Sequence, residues 1–567
     1  MNRFKQLSKS APARRRRFWE VLMKDRNNDG VGRGSPGLTD LDSRDRNTIL
    51  NALRKGVSRR QAMALLMGSG LTIAASAGIL GAAGKAIAAA PKRGGKIRCA
   101  MTQHGPSDTL DPQLFTSSID FTRGRAHYNG LVQLDDNIVP QPELAEEFSS
   151  NAGATEWTFK LRQGVEFHDG SKLTADDVIW SMNRHMSEDS TSKAKILVAS
   201  VKEWKKIDGN TVRAILDAPN ADLPAVLGTH HFKILKQDTS DFQAPVGTGP
   251  FTLQEFNPGI RSVHARNDNY WREGANLDEL ELFAITESTA RVNALLAGDV
   301  EMISNLDPQA IEVVESTDGV EVWSVPSGSF PCIVCRTDTS PGSSPDFVLA
   351  LKYLQDRERI VKSILKGQGT IGNDQPINIA YPEYCAELAQ RPYDPDRARY
   401  HLQRSGVTSA EIQVAEISNG VTDMVLVLQR EAAKVGLDLQ VKRVPNDGYW
   451  GSVWLKTPMH VGDWNMLPTA NIMLSIAFAP DAEWNESRWK NERMGMLLKE
   501  ARAETDQAKR AELQCEMQRL VSDESGVIIP VHKNSVDGLS SRVKGMSRNP
   551  LGTLGGSEWP EYVWLDS

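Results

Sequence analysis

Cysteine is scarce in this chain, with five in 567 residues, and that scarcity excludes a disulfide framework as its organising device. Cys99 and Cys515 sit on apolar faces and read as core, whereas Cys385 reads as exposed. Cys332 and Cys335 form a single C-x-x-C. Their surroundings read as strand, where residues three apart point to opposite faces, so the two sulfurs are expected to diverge. No second C-x-x-C and no neighbouring histidine completes a zinc set, so no metal or other cofactor is expected. Histidine is also sparse. His168 lies in a turn, His230-His231 is an isolated pair, and no convergence is expected. The G-x-S-x-G elbow, the H-E-x-x-H helix and the G-x-x-x-x-G-K-[ST] loop are all missing, which removes the cheapest support for hydrolases, zinc proteases and P-loop enzymes.

What is present is an ordinary globular composition, 40% hydrophobic and 24% charged, over a length that calls for two or three domains. The formal net charge of −6 conceals an asymmetry. Residues 1–88 carry 17 basic and 6 acidic side chains; the remainder carries 49 basic and 66 acidic, a net of −17. A body that acidic is repelled by phosphate backbones, which argues against nucleic acid and for solubility.

The first ninety residues read as a leader. Arg59-Arg60 precedes an apolar stretch from Ala62 to Gly84, rich in Ala, Gly and Leu, and Ala86-Ile87-Ala88 supplies a small-x-small processing pattern. The arginine pair resembles a twin-arginine export signal, and cleavage near Ala88–Ala90 is expected. A retained anchor helix is the alternative, since the stretch is long enough to span a bilayer. Arg14 to Arg17 form a solvated charge run, and Asp25 to Gly30 open like a calcium loop that fails at its twelfth place, Pro36.

Glu156 to Met182 is the most readable stretch. Trp157, Phe159 and Leu161 alternate with Thr158, Lys160 and Arg162, a strand with one buried face. Asp169-Gly170 supplies a turn. Thr174 with Asp177 reads as a capping box, and Val178, Ile179, Met182 and Met186 give the next helix an apolar stripe. Val201 to Leu216 reads as a hairpin about Asp208-Gly209-Asn210, and Glu287 to Leu296 as a helix ending at Gly298. The pattern changes at Pro326-Ser327-Gly328, as at a linker, and alternating strand and helix units follow, which argues for an α/β layer structure.

Taken in order, the blocks GGKIRCAM (94–101), LDP (110–112), HYNGLVQLD (127–135), VPQPELAEEF (139–148), the 156–182 stretch, PVGTGPF (245–251), NDNYWREG (267–274), DPDRARYHLQRSG (394–406) and the helices before VIIPVH (527–532) resemble the family 5 extracellular solute-binding proteins. These are the oligopeptide, dipeptide and nickel-type components of ABC importers. The resemblance implies an α/β, two-lobed periplasmic binding protein of the cluster C type with an extra scaffold subdomain in the first lobe. It places residues 1–90 in the leader, 91–325 in the first lobe with the scaffold at about 140–240, 326–524 in the second lobe, and 525–567 back in the first. It implies a periplasmic monomer, not an enzyme, that closes on a small solute and delivers it to a membrane permease. A secreted enzyme exported folded, or a peptide-binding adaptor outside transport, are the alternatives.

The candidate site is the aromatic-rich segment Asn446 to Trp489, with Tyr449, Trp450, Trp454, Trp464, Phe478, Trp484 and Trp489. Such density offers flat apolar walls with polar edges. Trp454 and Phe478 read as core. The resemblance places the segment Trp464 to Asn471 in the cleft, where relatives carry a carboxylate after the tryptophan that pairs with a peptide's amino group. Here Asn465, Met466 and Leu467 follow Trp464, and only Asp463 precedes it. A buried ammonium without a partner carries a large penalty, which argues against ordinary free-N-terminus peptides. Asn465 and Asn471 suit neutral groups, as in a sugar, opine or amino-acid conjugate. Thr116 and Ser117, on a loop after the first strand, and Gly249, at a crossing between subdomains, complete the candidate contacts.

Overall fold

The structure, a computed structural model, describes residues 91–103 and 105–566, so the leader with its arginine pair and calcium-like loop lies outside the described residues. Strand β1 (Lys96–Met101) opens the fold, and helix α1 (Ser118–His127) follows it, capped by Ser117. The scaffold comes next. Strands β2 (Ala145–Ser150), β3 (Glu156–Leu161), β4 (Val201–Asp208) and β5 (Thr211–Leu216) form an antiparallel sheet in the order β2-β3-β5-β4. Trp157, Phe159 and Leu161 are buried, as the alternation predicts. Helix α2 (Ala175–Met186) starts where the Asp177 carboxylate accepts from the Thr174 backbone N–H at 2.8 Å and from its hydroxyl at 2.7 Å. Val178 and Met182 face the same core.

The chain then builds β6 (Phe251–Asn257), β7 (Arg261–Arg266), β8 (Glu279–Ala284), helix α3 (Ser288–Leu296) and β9 (Met302–Ile303). The long β10 (Val320–Cys335) leads into β11 (Ser409–Val414), helix α4 (Val421–Lys434), β12 (Asp438–Arg443) and β13 (Met459–Trp464). Helices α5 (Ala470–Phe478), α6 (Glu492–Ala503) and α7 (Gln507–Glu524) follow, and β14 (Val531–Ser540) returns. One sheet holds the ten main strands in the order β12-β11-β13-β10-β14-β9-β1-β8-β7-β6.

Two runs of this sheet are parallel, β8-β1-β9 on one side and β12-β11-β13 on the other. Between them β10 and β14 lie antiparallel, β10 pairing with β13 of one run and β14 with β9 of the other. The first part of β10 pairs with β14 from Val320↔Ser540 to Pro326↔Asn534; its last part pairs with β13 from Phe330↔Trp464 to Cys335↔Met459. The expected linker at Pro326-Ser327-Gly328 is therefore a correction: the register shifts between Pro326 and Ser329 inside one continuous strand. The bulge re-aims the strand without ending it.

Two expectations about sparse residues are overturned. Cys385 and Cys515 form a disulfide across 130 positions, tying the loop before residue 390 to α7, and Cys385 is buried. The histidines do converge. His127 and His168 lie 4.7 Å apart between ring centroids and His127 and His264 6.5 Å, all beneath the Gly247–Gly249 crossing. Burial pushes His127 well below its usual pKa, and His264 to about 3. Cys332 and Cys335 behave as expected, one packing among α5, α6 and α7 and the other against α4 and β11.

Two outcomes follow. Replacing Cys385 and Cys515 by serine is expected to destabilise the protein by about 2–4 kcal/mol in denaturant titration, because the crosslink closes a long loop. For His264 the folded pKa lies below the unfolded one, so its contribution is intact above about pH 6.5 and lost as pH falls toward the folded value. His264→Gln is expected to gain on wild type by up to about 1.4 kcal/mol per pH unit in that window, read by thermal denaturation at stepped pH.

Candidate functional site

In sheets with parallel strands, ligands collect beyond the carboxyl ends, where backbone groups and helix N-termini are free to face them. Here the carboxyl ends of the two parallel runs face each other. β9 is antiparallel to β14, with Ile303 opposite Gly538, and leaves the sheet through Asn305 to Gln309. On the other side β11 leaves through Glu416 to Gly420, and β13 through Asn465 to Thr469. A crevice of about 590 Å³ opens at this seam, lined by Asp307 and Gln309 on one side and by Arg359, Glu416, Asp423 and Arg430 on the other. That volume suits a small solute. Gly420 has φ +81°, and its N–H donates to Glu416 at 2.8 Å, fixing the turn that starts α4.

The bulge in β10 holds the loop after β13. Met466 N–H donates to Ser329 Oγ at 3.2 Å, and Leu467 N–H to Tyr381 Oη at 3.1 Å. A Cβ on Gly328 would sit 2.5 Å from the Tyr381 ring, so the approach requires glycine. Asp463 accepts from Lys533 Nζ at 2.6 Å, one strand beyond β10. The acid preceding Trp464 is thus already paired with an internal cation.

The aromatic segment assembles into a chain of four indoles. Trp450 meets Trp454 edge-on at 5.6 Å, and Trp484 meets both Trp454 and Trp464 at 6.1 Å. Beneath them lies Glu486, 2% exposed. Its carboxylate accepts from the indole N–H of Trp464 at 3.1 Å, from that of Trp454, and from the Cys332 thiol at 3.5 Å. Burial raises its pKa against those donors. Trp450 and Trp484 are each 49% exposed, so the cluster presents two indole surfaces over a fixed polar base.

The candidate residues fall into three groups. None of them is among the residues that line the crevice: Trp464 is buried at the end of β13, Asn465 is exposed just beyond it, and Trp450 joins Trp464 through Trp454 and Trp484. Asn471, in the first turn of α5, is 2% exposed and its Oδ1 has no partner. Tyr449 is wholly buried, its hydroxyl donating to the Val461 carbonyl at 2.8 Å. On the other side of the sheet, Thr116 is exposed, while Ser117 caps α1 and donates to Asp120 at 2.8 Å. Gly249 is buried against the end of α1: its N–H donates to His127 O at 2.9 Å, and a Cβ there would lie 2.4 Å from the His127 carbonyl carbon. Sequence reasoning missed Glu486 and Lys533. Neither carries a local signal, because their partners lie 22 and 70 residues away.

Comparison with known proteins gives four likenesses. The profile of a family described as "Bacterial extracellular solute-binding proteins, family 5 Middle" matches residues 139–483. The dipeptide-binding protein of Escherichia coli is 25% identical over 499 residues, covering 79% of this chain and 91% of that protein. Heme-binding protein A of Haemophilus influenzae is 25% identical over 469 residues, covering 75% and 85%. Among solved structures, that of HbpA2 from Haemophilus parasuis superposes with a TM-score of 0.75 at 22% identity, covering 83% of this chain and all of that one, a likeness of fold.

The Glu486 base yields a sharp comparison of two substitutions. Glu486→Gln keeps an acceptor for the indoles and is expected to be mild, whereas Glu486→Leu strands the buried indole donor of Trp464 and the half-buried one of Trp454 and is expected to cost about 1–3 kcal/mol in chemical denaturation, with a shift in tryptophan emission.

Proposed function

We propose that this chain, which belongs to the bacterial extracellular solute-binding proteins of family 5, is the solute-capturing component of an ABC importer and works by closing two lobes on its ligand. The observation that carries this reading is the arrangement of the sheet: two parallel runs point their carboxyl ends at one crevice, and among the described residues the paired strands β10 and β14 stand between them. Two strands crossing side by side make a hinge whose bending leaves each run intact. In this reading residues 91–325 and 525–567 form the first lobe, with the scaffold at about 140–240, and 326–524 form the second.

Ligand that touches both lobes stabilises the closed form by its differential affinity, and the closed form docks on the permease. Trp464, Asn465, Asn471 and Trp450 are the contacts offered by the second lobe; Thr116 and Ser117 are those of the first. Tyr449 and Gly249 serve by holding Trp450 and the crossing in place. No covalent chemistry is required. The relatives are named for dipeptides and heme, and the solute here is a small polar molecule of the peptide, sugar, opine or conjugate kind. The leader, with Arg59-Arg60, delivers the protein to the periplasm, where it acts as a monomer.

Solution scattering of the processed protein tests the mechanism. A fall in radius of gyration on adding the matching peptide, sugar or opine pool is expected, and native mass spectrometry of protein taken from its own periplasm gives the mass of the captured solute. If no pool compacts the protein, hinge closure is wrong.

A further inference from the structure

The scaffold touches the helices α5, α6 and α7 along one short line. On the scaffold side stands the turn Asn220 to Asp222. Asn220 N–H donates to Ala154 O at 2.9 Å, its carbonyl accepts from the Trp157 indole at 3.0 Å, and its side-chain oxygen accepts from Asp222 N–H at 3.0 Å. The turn is thus fixed from within the scaffold, and the helix Leu223–Leu227 that follows is buried. Each of the three helices reaches across. Ile472 of α5 packs against the scaffold core, the Arg502 carbonyl of α6 accepts from Ala221 N–H at 2.9 Å, and the Arg510 guanidinium of α7 donates to the Asp222 carboxylate.

The pair between Arg510 and Asp222 is incomplete. Little of either side chain is exposed, yet Arg510 Nε and the second Asp222 oxygen have no partner. A guanidinium can hold a carboxylate through two parallel N–H bonds, so Arg510 keeps a donor unused. A second carboxylate stands in its field, that of Glu383, whose Oε2 is also buried and unpaired. Gln518 of α7 holds that loop in place, accepting from Cys385 N–H at 2.9 Å and donating to Glu383 O at 2.8 Å, and the Cys385–Cys515 disulfide ties it to the same helix. Asp222 faces the Glu383 carboxyl from the scaffold, Arg510 from α7, the Ala470 N–H from α5, and Tyr381 from its own loop. Burial, and next the charge of Asp222, raise its pKa to about 7, against the pull of Arg510.

Arg510 therefore stands between two acids that belong to different parts of the molecule. Asp222 is on the scaffold, whereas Glu383 lies in the same half as Arg510 itself. Protonated Glu383 makes no claim on the guanidinium, and the bond to Asp222 holds the two parts together. Ionised Glu383 competes for Arg510 and repels Asp222, and two carboxylates against one guanidinium leave a buried charge uncompensated. Withdrawal of the scaffold relieves that excess.

We propose that Asp222 and Arg510 form a latch between the scaffold and the helices of the second half, which Glu383 releases when it ionises. The inference rests on the reading of the molecule as two closing lobes and adds a proton to what decides between open and closed. Opening removes Asp222 and admits water, so the Glu383 pKa falls back toward its ordinary 4.5, and the closed form binds the proton more tightly. The latch is intact at low pH, weakens as pH rises from about 4.5 to about 7, and stays weak above that. Closure is accordingly favoured on the acid side of neutrality.

Solution scattering of the full processed chain without ligand, at about pH 5 and about pH 8, tests the latch. Wild type is expected to have the larger radius of gyration at the higher pH, the ratio of open to closed rising by up to about tenfold per pH unit inside the window. Glu383→Gln, which keeps the shape and never ionises, is expected to stay compact at both, and Arg510→Gln to be open at both. An unchanged radius in wild type overturns the proposal, as does a pH response that survives in Glu383→Gln. Wild type and Glu383→Gln decide the matter even where Arg510→Gln fails to fold. Adding the peptide, sugar and opine pools separates the two readings. Compaction by a pool without any pH response in the ligand-free protein removes the latch and leaves solute capture standing. A pH response that Glu383→Gln abolishes, with no compaction by any pool, supports the latch and removes solute capture.

Discussion

The pairing of β10 with β14 is the constraint on which the rest of the molecule depends. A parallel run needs covering helices and leaves its functional edge at the carboxyl ends of its strands. Two such runs can share one crevice only if something joins them with those ends facing, and an antiparallel pair through the middle does this. Asp463 with Lys533, and Ser329 with Met466, then fasten the loop after β13 to the central strands.

A second device holds the first half together around the returning tail. Arg125, wholly buried, pairs with Glu143 at 3.1 Å and with Glu558, and Glu143 also accepts from Asn129 and Gly130. Arg272 reaches Glu561 at 3.4 Å. Lys233 is buried beside them, and burial together with Arg125 pushes its pKa down to about 8. Such networks add little net stability over an apolar core, but losing one member leaves a buried charge exposed to no solvent. They therefore specify where the tail docks more than how tightly it does so.

How far all this was legible in the sequence depended on range. The alternation in Glu156 to Leu161, the Thr174–Asp177 cap, the hairpin ending at Leu216 and the helix after Glu287 are local patterns, and each stands in the structure as read. The bulge at Pro326 to Ser329 was legible as a break but not as a continuous strand, because pairing with β14 overrides the local turn preference of Ser-Gly. The Cys385–Cys515 bond, the His127–His168 contact and the Glu486 base all join residues that only tertiary packing brings together. The candidate site was legible as a segment. Its supporting acids and cations were not.

The register shift in β10 has a consequence for the ways this chain can change. Beyond the bulge, Phe330, Cys332 and Val334 pack with the helices α5, α6 and α7, while Ile333 and Cys335 pack with α4 and β11. Since side chains alternate along a strand, losing a single residue between Pro326 and Ser329 would exchange these two sets and turn each into the wrong interior. Substitutions across the whole strand can be absorbed one at a time, but its length at that point cannot drift, so the bulge that joins the two packed interiors is also the place where the chain tolerates no single-residue indel.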